Sequence, residues 1–466
     1  MRKLYCIASL LILAGCAVGP DYKSPKIDMP KLSEEDIAKF TQEKWWNVFN
    51  VSTLNKLEEQ ALAHNADLRQ AIANIDAAKA AAGIASSALL PQISVSGQGS
   101  ANYISANGKN FMPGLTQKRN STDYLGTVGA SYEIDFFGKY RRANEATRAQ
   151  LLATRAAKDA IMLSVTSQVA KNYFLIRALD AKLAIAKRTL TTRLETYKMY
   201  KSRFESGYCT ELDFLRIQSE MDSVKTTVLD LEEALAKAET SMSLLLGCSP
   251  REMMERKTAT DVAIERLRVP SHIPSGIPSD ILNRRPDLLQ AEGMLIAANA
   301  KIGEAKAAFF PSISLTGAYG YESLTLGKLF RPGSDMWTFN GGINLPLFAG
   351  GRLTSMSDAA KANYRSALIN YEKTVQIAFK ETLDALISNR KSREIVVSRT
   401  KQVNALKRSY DIALKQKEAG LIGLIDLLDV ERSLLACEMN LVTALQNQLD
   451  AVVDLCKALG GGWLRK

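Results

Sequence analysis

The chain states one pattern twice. ALLPQISVSGQG around Pro91 returns as AAFFPSISLTGAYG around Pro311, and ESGYCTELDFL (205–215) returns as EAGLIGLIDLL (418–428). The offset is 220 residues between the prolines and 213 between Gly207 and Gly420, so the copies differ mainly in one loop. Each copy reads as a helical run, two alternating strands, a very long helix and a returning helix. The repeats are bounded as 53–247 and 284–466, with a linker at 248–283 carrying Pro270, Pro274, Gly276 and Pro278. A length of 466 alone suggests about three domains; the duplication argues for one architecture built from two similar halves.

The periodicity switches where the motifs do. Residues 53–89 form an alanine-rich stretch that predicts one helix ending at Pro91. Four segments alternate with period two: Gln92–Tyr103, Tyr124–Phe136, Ser312–Tyr321 and Trp337–Leu345. Ile93, Val95, Val128, Ile134, Ile313, Leu315, Trp337 and Phe339 fall on one face, and Ser94, Ser96, Thr127, Ser131, Thr316 and Asn340 on the other. Strand lengths near ten with aromatic ends fit membrane β-strands. A soluble antiparallel sheet with one wet face has the same pattern. The segments 104–123 and 322–336 read as exposed loops.

The long helices are predicted at 142–205 and 352–418, with returns at 210–247 and 424–459. At a rise of 1.5 Å per residue the first reaches roughly 96 Å. Val165, Val169, Ile176, Leu179, Leu183, Leu190 and Leu194 make a coiled-coil seam, and alanines from Ala143 to Ala160 allow close helix approach. Helices of that length must lie against their returns and against other chains. Gly207 and Gly420 end them, where a left-handed cap is cheap.

The N-terminus reads as a lipoprotein signal over 1–15. A basic MRK precedes ten apolar residues and then LAGC, a lipobox ending at Cys16. Cys16 is then the acylated first residue, followed by an extended, proline-bearing tail over 16–52. Ala17 in place of Asp favours the outer membrane. Cys209, Cys248, Cys437 and Cys456 have no C-x-x-C spacing, and His64 and His272 stand apart, so neither metal nor disulfide framework is expected. The net charge of +11 comes without a basic block or nucleic-acid motif, so no nucleic-acid partner is expected. No nucleophile elbow or phosphate loop is present, and the chain is read as no enzyme.

Four strands cannot close a barrel, and an open edge cannot sit in lipid. Two, three or more chains must therefore each contribute four strands. The helices then continue the barrel as a tube, which describes a conduit.

GCAVGPDYKSP, the linker IPSGIPSDILNRRPDLLQAE ending at Glu292, and the terminal KALGGGW together resemble the TolC-like outer membrane factors, in the lipoprotein branch of NodT or OprM type. The resemblance covers essentially the whole chain. It implies an internally duplicated α+β membrane protein, a trimer with a 12-stranded β-barrel in the cell outer membrane continued by a long periplasmic α-helical barrel. It further implies docking to a periplasmic adaptor and an inner membrane pump, usually of RND type, for passive small-molecule export. Alternatives are the outer membrane duct of a type I protein secretion system, or a structural envelope lipoprotein. The covalent lipid on Cys16 is the one added group expected.

By the same resemblance, Asp426 and Asp429 line a periplasmic gate. They stand three apart on one helix face, and three copies give six carboxylates. Without the resemblance they read as dipole-favoured acids in a first helical turn; with it the ring is the favoured reading. Asp213 matches a position that joins latch contacts, but its usual Tyr and Arg partners are replaced by Lys417 and Ile422. Gly207 and Gly420 mark the adaptor-docking turns.

Overall fold

The structure is a computed structural model that describes residues 17–25, 44–105, 119–255, 262–267, 269 and 284–461. The expected signal, Cys16, the tail over 26–43, residues 106–118, His272 and most of the linker lie outside the described residues.

The duplication holds to the residue in the lengths of three matched helix pairs, while the second strands differ, 15 residues against 10. Helix α1 (Ser52–His64) leads to α2 (Ala66–Ser87), β1 (Gln92–Tyr103), β2 (Asn120–Ile134), α3 (Lys139–Glu205) and α4 (Glu211–Leu245). A short α5 (Pro250–Glu255) precedes α6 (Pro286–Ala307), β3 (Ser312–Ser323), β4 (Asp335–Asn344), α7 (Arg352–Glu418) and α8 (Leu424–Ala458). The matched pairs α2 and α6, α3 and α7, and α4 and α8 have 22, 67 and 35 residues.

Two expectations need correction. The single helix over 53–89 is broken at Asn65. Its Oδ1 accepts from the backbone N–H of Asp67 (2.9 Å) and Leu68 (3.2 Å), which makes Asn65 the N-cap of α2. Its side-chain amide also donates to the Leu245 carbonyl at 2.8 Å, so a tertiary contact fixes the break. The predicted loop 104–123 is shorter than expected, because β2 begins at Asn120 rather than Tyr124. Asn120, Ser121 and Thr122 pair with Tyr103, Asn102 and Ala101. Their pairing is backbone to backbone, and the apolar alternation that marks a strand stops before they do. For the same reason β3 runs on to Ser323 and β4 starts at Asp335.

The described chain divides into two compact units, each drawing on both repeats. One comprises the N-terminal segment to Lys26, Ile75–Ala153 and Ala291–Tyr371. It holds an antiparallel sheet in the order β1-β2-β3-β4. The segment after Cys16 is pinned in this unit. Val18 donates its N–H to the Phe137 carbonyl (3.0 Å), and Arg142 reaches Asp21 (2.7 Å). Asn299 donates to the Pro20 carbonyl (2.9 Å), and the Tyr22 hydroxyl donates to Glu292 (3.0 Å).

The other unit comprises Ile27–Asn74, Thr154–Gln290 and Glu372–Lys466. Its core joins Trp45, Trp46 and Phe49 to Tyr173, Phe174 and Ile176 of α3, Met242 of α4, and Val452 and Leu455 of α8. Phe49 meets Phe174 edge to face at 4.8 Å. Arg285 braces this unit. Its guanidinium binds Asp287 (2.7 Å), Glu381 (2.6 Å) and the Ala458 carbonyl (3.3 Å), beside Pro286 and Asp287 in the first turn of α6.

The α3 seam is buried at Val165, Val169, Ile176 and Leu179. It then drifts. Leu194 is exposed, and its neighbour Arg193 takes the buried position. A straight helix of 3.6 residues per turn rotates about 20° per heptad against a 3.5 repeat, so a seven-residue pattern loses register along so long a helix.

Candidate functional site: a two-faced sheet and paired helical tips

Strand register determines what the sheet can face. Val95 pairs with Val128, Val128 with Tyr319, and Tyr319 with Trp337. Ile313 lies between Ile134 and Ile343. Paired residues share a face, so each predicted apolar face joins into one apolar surface across four strands. It is solvent-exposed in the single chain, with Val95 at 81% and Trp337 at 75%. The opposite face is polar: Ser96 and Thr127 share a 2.9 Å hydrogen bond across β1–β2, and Thr316 lies between Ser131 and Asn340. Strands β1 and β4 each have one unpaired edge. An apolar outer face, a polar inner face and open edges suit lipid, water and further copies of the same sheet respectively. Among the described residues, no helix is long and apolar enough to cross a membrane.

The two tips are built alike. Gly207 has φ +77° and Gly420 φ +74°. After each, the chain closes a Schellman cap: Tyr208 N–H to the Arg203 carbonyl (2.7 Å), and Leu421 N–H to the Gln416 carbonyl (2.8 Å). The residues that follow both glycines are apolar and project into solvent, Tyr208 at 84% and Leu421 at 74% exposure. Leu212 and Ile425 extend each exposed patch.

The carboxylates at the tips first serve their own helices. Thr210 caps α4: its Oγ1 accepts from Asp213 N–H (3.1 Å) and donates to the Asp213 carboxylate (2.8 Å). Asp426 accepts the Gly423 N–H at 3.0 Å, so it caps the start of α8. Asp429 accepts from Arg432 at 2.6 Å, one turn on. Asp426 and Asp429 are both exposed, as a ring would require, but the helix-start reading of Asp426 is also realised. Lys417 contributes its carbonyl to the Gly420 cap.

Beyond the tips lies a ladder of charge that sequence reasoning missed. Glu438 of α8 is buried and binds Arg188 of α3 (2.6 Å) and Lys407 of α7 (3.2 Å). Two helical turns earlier on α8, Glu431 binds the buried Arg193 of α3 at 3.2 Å. Glu220 of α4 joins both Arg193 (4.0 Å) and Arg432 (3.8 Å). Burial pushes the Glu431 carboxyl above its usual range, with Arg193 opposing and Glu220 reinforcing the shift. An arginine among seam positions was the available signal. Among the described residues, no group of three His, Cys, Asp or Glu is placed to hold a metal.

Known proteins share this plan. The family model described as outer membrane efflux protein matches residues 57–248 and 277–461. The toluene efflux pump outer membrane protein TtgC of Pseudomonas putida is 32% identical over 97% of this chain and 94% of its own. The cation efflux system protein CusC of Escherichia coli is 32% identical over 98% of both. The CmeC outer membrane channel of Campylobacter jejuni superposes with a TM-score of 0.90 at 27% identity, over 96% of this chain and 95% of that one.

Proposed function

The chain belongs to the outer membrane efflux protein family, and from that premise we propose that it is the outer membrane duct of a tripartite efflux system. The continuous apolar face running from Val95 through Val128 and Tyr319 to Trp337 carries this reading. Four strands with two open edges are stable in lipid only when other copies close them. Three copies supply twelve strands, enough for a lumen lined by the Ser96, Thr127 and Thr316 face. Cys16 carries the lipid anchor, and the described segment that follows it is pinned by Val18 N–H on the Phe137 carbonyl.

Helices α3, α4, α7 and α8 form the periplasmic part of the duct. A periplasmic adaptor docks on the turns at Gly207 and Gly420, where Tyr208 and Leu421 offer apolar contact, and the adaptor links the duct to an inner membrane pump of RND type. Asp426 and Asp429, with Asp213 on the neighbouring tip, form the gate. Transport through it is passive, no residue is assigned a catalytic role, and cargo selection belongs to the pump.

Export assays test the reading. Cells lacking their own outer membrane duct, given this chain with a compatible adaptor and pump, should regain resistance to small toxic compounds. Correct membrane placement without regained export would argue against it. Palmitate incorporation lost in Cys16→Ser tests the anchor.

A further inference from the structure

The tie between the two hairpins of a protomer is built around a half-satisfied arginine. Hairpin α3–α4 is stapled to itself by aromatic stacking, Tyr197 on Phe214 at 5.7 Å and Phe204 on Phe214 at 5.0 Å. The start of α8 carries Asp426 and Asp429, and its bonds to that stapled hairpin are ionic: Glu431 to Arg193 and Arg432 to Glu220. Arg193 has a side chain only 3% exposed. Its Nη2 meets Glu431 and Glu220, while Nε and Nη1 are buried without a hydrogen-bond partner. Buried donors left unpaired are costly, and a partly satisfied polar cluster in low dielectric favours any rearrangement that completes it.

The position of this cluster answers a gap in the sequence. The polar latch partners that the family resemblance implies are replaced here by Lys417 and Ile422, and Ile422 has no polar side-chain atom. The ionic tie sits instead about two turns into α8.

We propose that Arg193 is the positioning residue of the gate: through Glu431, and through Glu220 and Arg432, it fixes the α8 turn that presents Asp429. The proposal rests on the reading of the chain as a gated duct. Loss of the guanidinium leaves the start of α8 tied to α3–α4 by the 3.8 Å Arg432–Glu220 contact alone. The tip of α7–α8 then moves while the self-stapled first hairpin stays in place.

The test uses the full-length assembled protein in planar bilayers, with spin labels at Tyr208 and Leu421 as a separate readout of the tips. Arg193→Met should raise the open fraction about tenfold, the size of coupling expected for contacting charged residues, and broaden the tip distances at unchanged helix content. Arg193→Lys should fall between. The exchange Arg193→Glu with Glu431→Arg should return both readouts toward wild type. If Arg193→Met does not fold, Glu431→Gln, which keeps the acceptor's shape, has the same expected effect. A folded Arg193→Met with wild-type current and distances overturns the proposal and leaves the duct reading standing. Broadened distances in a protein that never conducts overturn both the gate and the duct, leaving Arg193 a brace.

Discussion

Arg432 donates to Asp429 at 2.6 Å, one turn apart on the exposed face of α8. The carboxylate proposed for the gate is thereby partly neutralised within its own chain. Both side chains are more than half exposed, so the pair contributes at most about 1 kcal/mol to stability. Its effect is on the field at the tip. Arg432→Ala should leave the melting temperature within about 2 °C, loosen the start of α8 through loss of the Glu220 contact, and shift the reversal potential toward cation selectivity. An unchanged reversal potential in a salt gradient would show that Asp429 does not face the ion path. Asp426→Ala with Asp429→Ala should increase conductance. The Asp426 substitution also removes a cap, and hydrogen exchange should detect about 1 kcal/mol of loosening confined to the first turn of α8.

The matched tips give a second expectation. Gly207 and Gly420 hold left-handed conformations with open space where a Cβ would stand, so strain alone opposes a side chain. Gly207→Ala and Gly420→Ala should each cost about 1 kcal/mol locally. They should weaken adaptor binding, measured by co-purification, without altering helix content. Wild-type adaptor binding in both variants would separate these turns from docking.

Stability should depend on pH through Asp450. Burial, reinforced by Asp454 and opposed by Lys171, pushes its carboxyl up to about 7, against roughly 3.9 in an unfolded chain. The folded protein thus holds a proton that the unfolded chain releases. The contribution is present below about pH 4, falls as pH rises toward 7, and is flat above. Asp450→Asn should remove that slope from melting curves between pH 4 and 7. A slope unchanged by the substitution would place the titrating group elsewhere.

Glu58 is the most costly buried group in the α1 region. Both carboxylate oxygens lack a partner, and burial holds the carboxyl well above its normal range. Glu58→Leu should stabilise the protein by about 2 kcal/mol at pH 7. A fall in the denaturation midpoint would mean that the carboxyl has a partner in the assembled protein.

The two faces of the sheet make adjacent residues unequal. Val95→Arg places charge on the apolar face and should cost about 2–4 kcal/mol near the bilayer midplane. Ser96→Arg, one residue on, points to the polar face and should assemble normally. Equal assembly yields in detergent-extracted membranes would contradict a lipid-facing sheet.

The sequence made the long elements legible because their signals are long. The helix predicted at 352–418 and the strand at Gln92–Tyr103 match to the residue, since Gly351 and Gly420 flank the helix and Pro91 opens a clear alternation in the strand. What it concealed was local or three-dimensional. Asn65 interrupts α1 and α2 because its amide reaches Leu245, 180 residues away. Thr122 is in β2 through backbone pairing that leaves no side-chain pattern. Arg193 replaces Leu194 in the seam because helical drift over several heptads decides which neighbour turns inward. At the tips, the sequence located Asp426 and Asp429 but not their partners, since Gly423 N–H and Arg432 become partners only once α8 has formed.

Conduction by the trimer is tested most simply by single-channel current from the purified, folded protein in a planar bilayer, taken on a preparation whose mass corresponds to three chains. Discrete ion-conducting steps should appear and should grow when Asp426 and Asp429 are both replaced by alanine. A well-folded three-chain assembly that inserts into the bilayer and passes no current, in wild type and variant alike, would contradict it.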